Sequence, residues 1–287
     1  MSNKIFVKQN KDENQILLVA QHFAYKSAKV LTIFLFVMSV IIPIGFDITL
    51  IWVKNDIVTT IFSFVSICFV VLCEVLRNIL ANKKNIAAQV QQKFDSIVFE
   101  LGNGFCLDEE TVDFAVEKYK NKDWDRKKDW YPDYSKLDKN KAIYYCQKEN
   151  IDWTNNLSVK YITFLIICFV IMVLAITVNF IIADDSISHI ISIFVIALPL
   201  LIYCNSGFSK IRNDGKSLNE IKDYANKIDV LINEKNNVDE KMLENLQWMI
   251  FYYRKNKYLI PDWFDRLFYK KIQNHELNKA TKRKRKK

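Results

Sequence analysis

The chain has 287 residues, enough for one or two domains, and its 41 Lys and Arg against 32 Asp and Glu leave a net charge of +9. Five Gly and four Pro exclude a linker-rich or collagen-like chain, and 14% aromatic residues exclude global disorder. The mean hydropathy of -0.01 averages stretches almost without charge and stretches dense in Lys, Asp and Glu, which excludes a single ordinary globular core and points to a membrane.

Residues 1–29 hold five Lys against two acids and read as a cytoplasmic N-terminal amphipathic helix. Ala20, Ala24 and Ala28 recur in it at four-residue spacing, a small stripe that lets another helix approach closely, within the chain or between protomers. Val30–Phe46 then runs 17 residues without a charge, and Ile57–Cys73 another 17. A helix crosses the hydrocarbon core with about 20 apolar residues, ~17 being the lower end. A soluble helix keeps a polar face, and these runs are apolar all round. The first run lies too far into the chain for a cleaved signal peptide. Pro43 and Gly45 predict a kink near its outer end. Residues 30–76 thus read as a first membrane hairpin, joined by Asp47–Asp56.

Residues 77–159 read as a cytoplasmic helical segment. Ile86, Val90, Phe94, Ile97, Val98 and Leu101 fall at helical spacing, so one face is apolar. Tyr161–Ala183 runs 23 residues without a charge and Ile187–Cys204 runs 18, giving a second hairpin over 160–205 with Asp184–Ser186 at its tip. Residues 206–287 form a second cytoplasmic helical segment. Ser217 with Glu220 predicts a capping box ahead of a stripe of Leu218, Ile221, Ala225, Ile228 and Ile232. Asp239 predicts an N-cap for the stripe of Met242, Leu246, Met249, Ile250 and Tyr253, which closes before Pro261. Asp262 predicts a cap for a last helix through Trp263, Phe264, Leu267, Phe268 and Ile272, and the chain ends on a basic tail, TKRKRKK. That tail suits anionic lipid, whereas no framework for a nucleic-acid polymer surrounds it. No stretch alternates as a strand does. The expected fold is an all-α membrane protein: four transmembrane helices in two hairpins plus a helical cytoplasmic domain.

Basic residues near span ends mark the cytoplasmic side. Lys26, Lys29, Arg77, Lys83, Lys84, Lys160, Lys210 and Arg212 all flank the ends away from the two short loops. Both termini and the central segment are therefore expected in the cytoplasm. The six Cys show no metal-ligand spacing, and His22, His189 and His275 are far apart, so neither a metal site nor a catalytic triad is expected. The chain lacks the phosphate-loop, dinucleotide and zincin motifs, and no catalytic residue and no cofactor are proposed.

Glu74 lies one turn before Arg77. It reads as an interfacial ion pair or as a charge at a pore mouth, and Asn179, Asp184 and Asp185 are the other pore or membrane-mouth candidates. Thr177, Ser188 and Ser192 in the apolar runs read first as hydrogen-bonding groups between helices.

The chain resembles the SMODS-associating four-transmembrane effectors of bacterial anti-phage operons. The likeness spans nearly the whole sequence and rests on pieces in order around the two hairpins. These are VKQN (7–10) with AQHFAYKSAK (20–29), AAQVQQKFDSIVFEL (87–101), the WY pair (130–131), CQKENIDW (146–153) and LQWMIFYYRKNKYLIPDWF (246–264). The resemblance implies a membrane effector that senses a cyclic oligonucleotide second messenger and permeabilises the inner membrane, arresting or killing the infected cell. A constitutive channel or transporter, and a membrane-anchored scaffold, stay open on the residues alone. Four spans from one chain leave no wide lumen, so a homo-oligomer is expected.

A cyclic oligonucleotide presents stackable bases and anionic phosphates, and its site needs flat aromatic faces with donors and cations. The candidates are Trp130, Tyr131, Gln147, Asn150 and Trp153 from the central segment, and Arg254 and Lys257 from the C-terminal one. The alternative for the aromatic residues is a place in the domain core or in an interfacial belt.

Overall fold

The structure is a computed structural model describing residues 4–53, 55–102, 107–125, 127–182, 187–235, 237–260, 264 and 266–268, with many side chains of 153–190 outside the description. The elements are α1 (Ile5–Gln9), α2 (Asp12–Phe36), a π-helical turn (Val37–Ile41), α3 (Ile42–Trp52), α4 (Asp56–Phe99), α5 (Glu109–Tyr119), α6 (Lys139–Ile182), α7 (Ile187–Lys235) and α8 (Glu240–Asn256). Among the described residues the regular structure is all helical.

Three stretches, Asp12–Leu50, Asp56–Phe99 and Ile191–Glu234, are long and apolar enough to cross a membrane. The expected third span, Tyr161–Ala183, falls on α6, where residue 183 and many side chains lie outside the described residues. On the described apolar runs, Phe34, Phe64, Val71 and Phe194 point outward, as lipid-facing side chains do.

Each long helix carries both an apolar run and a polar extension. α4 has 44 residues and so spans about 66 Å at 1.5 Å per residue, roughly twice the ~30 Å hydrocarbon thickness. Asn55 caps its start, accepting the N–H groups of Ile57 and Val58 at 2.9 and 3.3 Å. Its end is Glu100 in the left-handed region at φ 51°, an uncommon conformation for a residue with a Cβ. The Glu100 carboxylate pairs there with Lys8 and, at 3.4 Å, with Lys139. The hydrogen bond from Lys8 holds its pKa below the ordinary glutamate value.

α2 lies antiparallel along α4. The contacts run in order from Lys83 with Ser27 (2.9 Å), through Ser39 with Cys73 (3.2 Å), to the Phe46 and Phe62 rings stacked at 4.1 Å between α3 and α4. Ala20, Ala24 and Ala28 are all buried, so the small stripe is used within the chain. The π-helical turn ends two residues before Pro43. A proline lacks the N–H that an α-helical turn would donate to the carbonyl four residues back, and a π turn is one way to accommodate its ring.

The main core forms where the polar extensions meet. Val90, Phe94 and Val98 from α4, Ile221 and Ile228 from α7, and Leu243, Leu246 and Ile250 from α8 share it with Ala142, Ile143 and Tyr144 of α6. The apolar stripes over 86–101, 218–232 and 242–253 are buried or half-buried faces, except that Ile97 turns outward; in the last expected stripe Phe264 is buried but Leu267 is exposed, and Trp263 and Ile272 lie outside the described residues. The Asp239 cap is present, its side chain accepting the N–H of Lys241 at 3.2 Å.

The expected capping box at Ser217 and Glu220 is not a helix start. α7 runs unbroken from Ile187 to Lys235 through both residues, and through Gly207, Gly215 and Pro199. The reason is that the pattern is also compatible with a helix interior. The stripe behind Ser217 continues into the core without changing period, so nothing favours a break. Thr177 also departs from expectation, bonding the Val173 carbonyl of its own helix at 2.8 Å rather than a neighbour. The cap expected at Asp262 lies outside the described residues.

Candidate functional site: a buried polar network

A polar network interrupts the core. Asp95 on α4 is fully buried, and three donors converge on it. Arg254 Nη1 on α8 lies 2.6 Å from Oδ2, Gln247 Nε2 on α8 lies 2.9 Å from Oδ2, and the Tyr131 hydroxyl lies 2.7 Å from Oδ1. Gln247 also donates to Gln92 Oε1 at 2.9 Å. Gln147 on α6 donates to Gln247 Oε1 and to the Leu243 carbonyl, both at 3.0 Å. Asn150 reaches the Tyr131 hydroxyl at 2.9 Å. Buried polar groups are tolerated in such an interior when hydrogen-bonded, and a buried charge when paired.

The electrostatics follow from that geometry. Burial, reinforced by the Asp95 charge, holds the Tyr131 phenol well above its ordinary pKa, so it stays a donor. Burial opposes the Arg254 charge, but Asp95 and Tyr131 more than offset it and raise its pKa. Tyr25 from α2 completes the surroundings, with its hydroxyl buried and unpartnered, as is Arg254 Nη2.

Tyr131 sits in an irregular stretch and is held there by the N-terminal helix. Gln9 Nε2 donates to the Tyr131 carbonyl at 2.9 Å, while the Tyr131 N–H donates to Gln9 Oε1 at 2.7 Å. Asn10 Nδ2 donates to the Asp129 carboxylate at 2.8 Å, and the Asp129 N–H donates to Asn10 Oδ1 at 3.1 Å. Two side-chain amides thus bracket a segment whose Asp129 adopts a positive φ of 50°. This ties VKQN to the WY pair.

Of the residues singled out from the sequence, Tyr131, Gln147, Asn150 and Arg254 come together, around a buried carboxylate. Trp130 is half-buried at the rim, 5.7 Å from the Trp124 ring, which stacks on His22 at 4.3 Å. Lys257 lies apart, with its ammonium 6.0 Å over the Tyr25 ring. The Trp153 and Asn179 side chains, and Asp184 and Asp185 altogether, fall outside what is described. Glu74 is paired with Arg77 at 2.9 Å, as the spacing predicts. Lys148 of CQKENIDW pairs with Asp229 on α7.

Sequence reading misses Asp95, Gln92, Gln247, Gln9 and Tyr25. A signal was available: Asp95 interrupts the apolar stripe of α4, and an acid on a core face needs a partner.

A membrane class is therefore defined: long helices carry apolar runs into a polar helical domain pinned by a buried ion pair. The family model for the SMODS-associating 4TM effector domain matches residues 3–283, and the chain belongs to that family. No curated protein and no solved structure matches the chain.

Proposed function

We propose that this multi-pass membrane protein senses a cyclic oligonucleotide made during phage infection and permeabilises the bacterial inner membrane. Membership of the SMODS-associating 4TM effector family over almost the whole chain carries this reading. In it the protein spans the membrane four times in two hairpins, 30–76 and 160–205. Residues 1–29, 77–159 and 206–287 then lie in the cytoplasm, where the nucleotide is made. Several copies assemble, since one small bundle has no lumen.

The ligand would bridge the central and C-terminal segments. Trp130 and Asn150, both half-buried, are suited to touch it directly, with Lys257 and Trp153 as further candidates. Tyr131, Gln147 and Arg254 are buried, and in this reading they position the contact residues and carry the displacement to α4 and α8. Ligand moves the helices only insofar as it binds the open arrangement more tightly than the closed one. The pore or membrane-mouth roles proposed for Glu74, Asn179, Asp184 and Asp185 belong to the same reading.

The test is dye leakage from liposomes holding the purified full chain, challenged with a panel of cyclic di- and trinucleotides. Leakage is expected with one member and not without it. Trp130→Ala and Asn150→Ala are expected to blunt that response while insertion is unchanged. Leakage that needs no nucleotide would favour a constitutive channel, and binding without leakage a scaffold.

A further inference from the structure

The five residues that close and follow α8, Asn256–Ile260, meet three long helices in their middle stretches, where apolar runs give way to polar extensions. Lys84 on α4 is buried, and its Nζ donates to the carbonyls of Asn256 and Lys257, each at 3.1 Å. These carbonyls end α8, where the helix dipole favours a donor or cation. The Tyr258 N–H donates to Asp214 of α7. The Tyr258 hydroxyl is paired with the Tyr203 hydroxyl of α7 at 2.7 Å. Its ring lies 5.9 Å from that of Tyr161 on α6, which packs against Phe264 at 5.0 Å. Lys84 and Asp214 sit 11 and 10 residues beyond the apolar runs that end at Cys73 and Cys204, about three helical turns, whereas Tyr203 and Tyr161 lie within or at the ends of theirs.

The same helix reaches the Asp95 network. Gln247 and Arg254 meet Gln92 and Asp95, and the end of α8 meets Lys84, so α8 descends antiparallel along α4. Nine residues of α8 and eight of α4 separate the Gln247–Gln92 contact from that at Asn256, about 12–14 Å on either helix. A displacement of α8 at the network therefore cannot leave the junction below it intact.

We propose that Asn256–Tyr258 is a latch. Its bonds to Lys84, Asp214 and Tyr203, with the Tyr258 ring against Tyr161, hold α4, α7 and α6 in the resting arrangement, and their rupture releases the spans. The outcome for permeability rests on the proposed function; the clamping of the helices does not.

The experiment compares the full chain in liposomes with Lys84→Met, Tyr203→Phe and the control Lys84→Arg, which keeps its donors. Tyr203→Phe removes one hydroxyl and little packing, so it guards against simple misfolding. Two readouts are taken: dye leakage without nucleotide, and amide hydrogen exchange at residues 157–164 of α6, which contain no substitution. The latch predicts faster exchange there and basal leakage raised about fivefold in Tyr203→Phe, the shift that loss of one ordinary hydrogen bond gives, and by at least as much in Lys84→Met, which loses two, with Lys84→Arg near the parent. Unchanged exchange in both variants overturns the latch. So does faster exchange with parental basal leakage, if the parent leaks on adding cyclic nucleotides. If exchange accelerates but no sample leaks, the parent with nucleotides included, the clamp stands and the permeabilisation reading fails.

Discussion

Arg254 donates to Asp95 across 2.6 Å, and their side chains are 6% and 0% exposed. Neither charge has water to fall back on. The two residues lie 159 positions apart, so this pair joins the helix leaving the second apolar run to the helix that ends at the membrane junction. Losing one partner of a buried pair costs far more than losing both.

Arg254→Ala is accordingly expected to destabilise the helical domain by ~3–5 kcal/mol, since it strands the Asp95 carboxylate. Combining it with Asp95→Asn restores part of that loss. Thermal unfolding of the detergent-solubilised protein checks both. A cost for Arg254→Ala below about 1 kcal/mol would show that water reaches Asp95.

Stability is expected to depend on Lys84 above neutral pH. Burial, followed by the charge of Lys210, pushes its pKa down to about 7. A neutral amine still has the N–H groups needed for both carbonyls. An unfolded lysine titrates near ~10.4, so between about pH 7 and ~10.4 the unfolded chain holds a proton that the folded chain lacks. Stability from this group therefore rises with pH across that window. Asp214, raised by burial, has the opposite slope, its native form holding a proton above the ordinary carboxylate range. Comparing melting temperatures of the parent and Lys84→Met from pH 7 to 10 isolates the lysine. Parallel curves would refute the assignment.

Ala28 is fully buried in the α2 stripe. Ala28→Leu is expected to cost ~1–3 kcal/mol by overpacking the seam with its neighbours. Exposed Val30→Leu, two residues on, is expected to cost almost nothing. Equal effects in the two variants, read by thermal unfolding, would mean that the stripe does not set the helix spacing.

The expected topology places residue 185 outside the cell and residue 121 inside. An impermeant thiol reagent added to intact cells should therefore label a cysteine introduced at Asp185 and spare one at Asn121. Labelling in the reverse order would invert every span.

The helical character, the apolar runs and the buried faces were determined by the sequence itself. A period of 3.6 residues and the thickness of a bilayer are local rules, and the stripes at Val90–Phe94–Val98 and Ile221–Ala225–Ile228 obey them. The Asp239 cap is local for the same reason. Tertiary structure decided which polar residues matter. Gln9 finds Tyr131, Asp95 finds Arg254 and Lys84 finds Asn256 across more than a hundred residues each, and pairing at that range leaves no periodic trace. Continuity at Ser217 was also a tertiary outcome: its capping pattern fits a helix start or interior, and the uninterrupted core face of α7 selects the interior. Burial likewise separates the candidate ligand residues, because an Arg beside two Tyr looks the same in sequence whether it faces a ligand or, as Arg254 does, a carboxylate in the core.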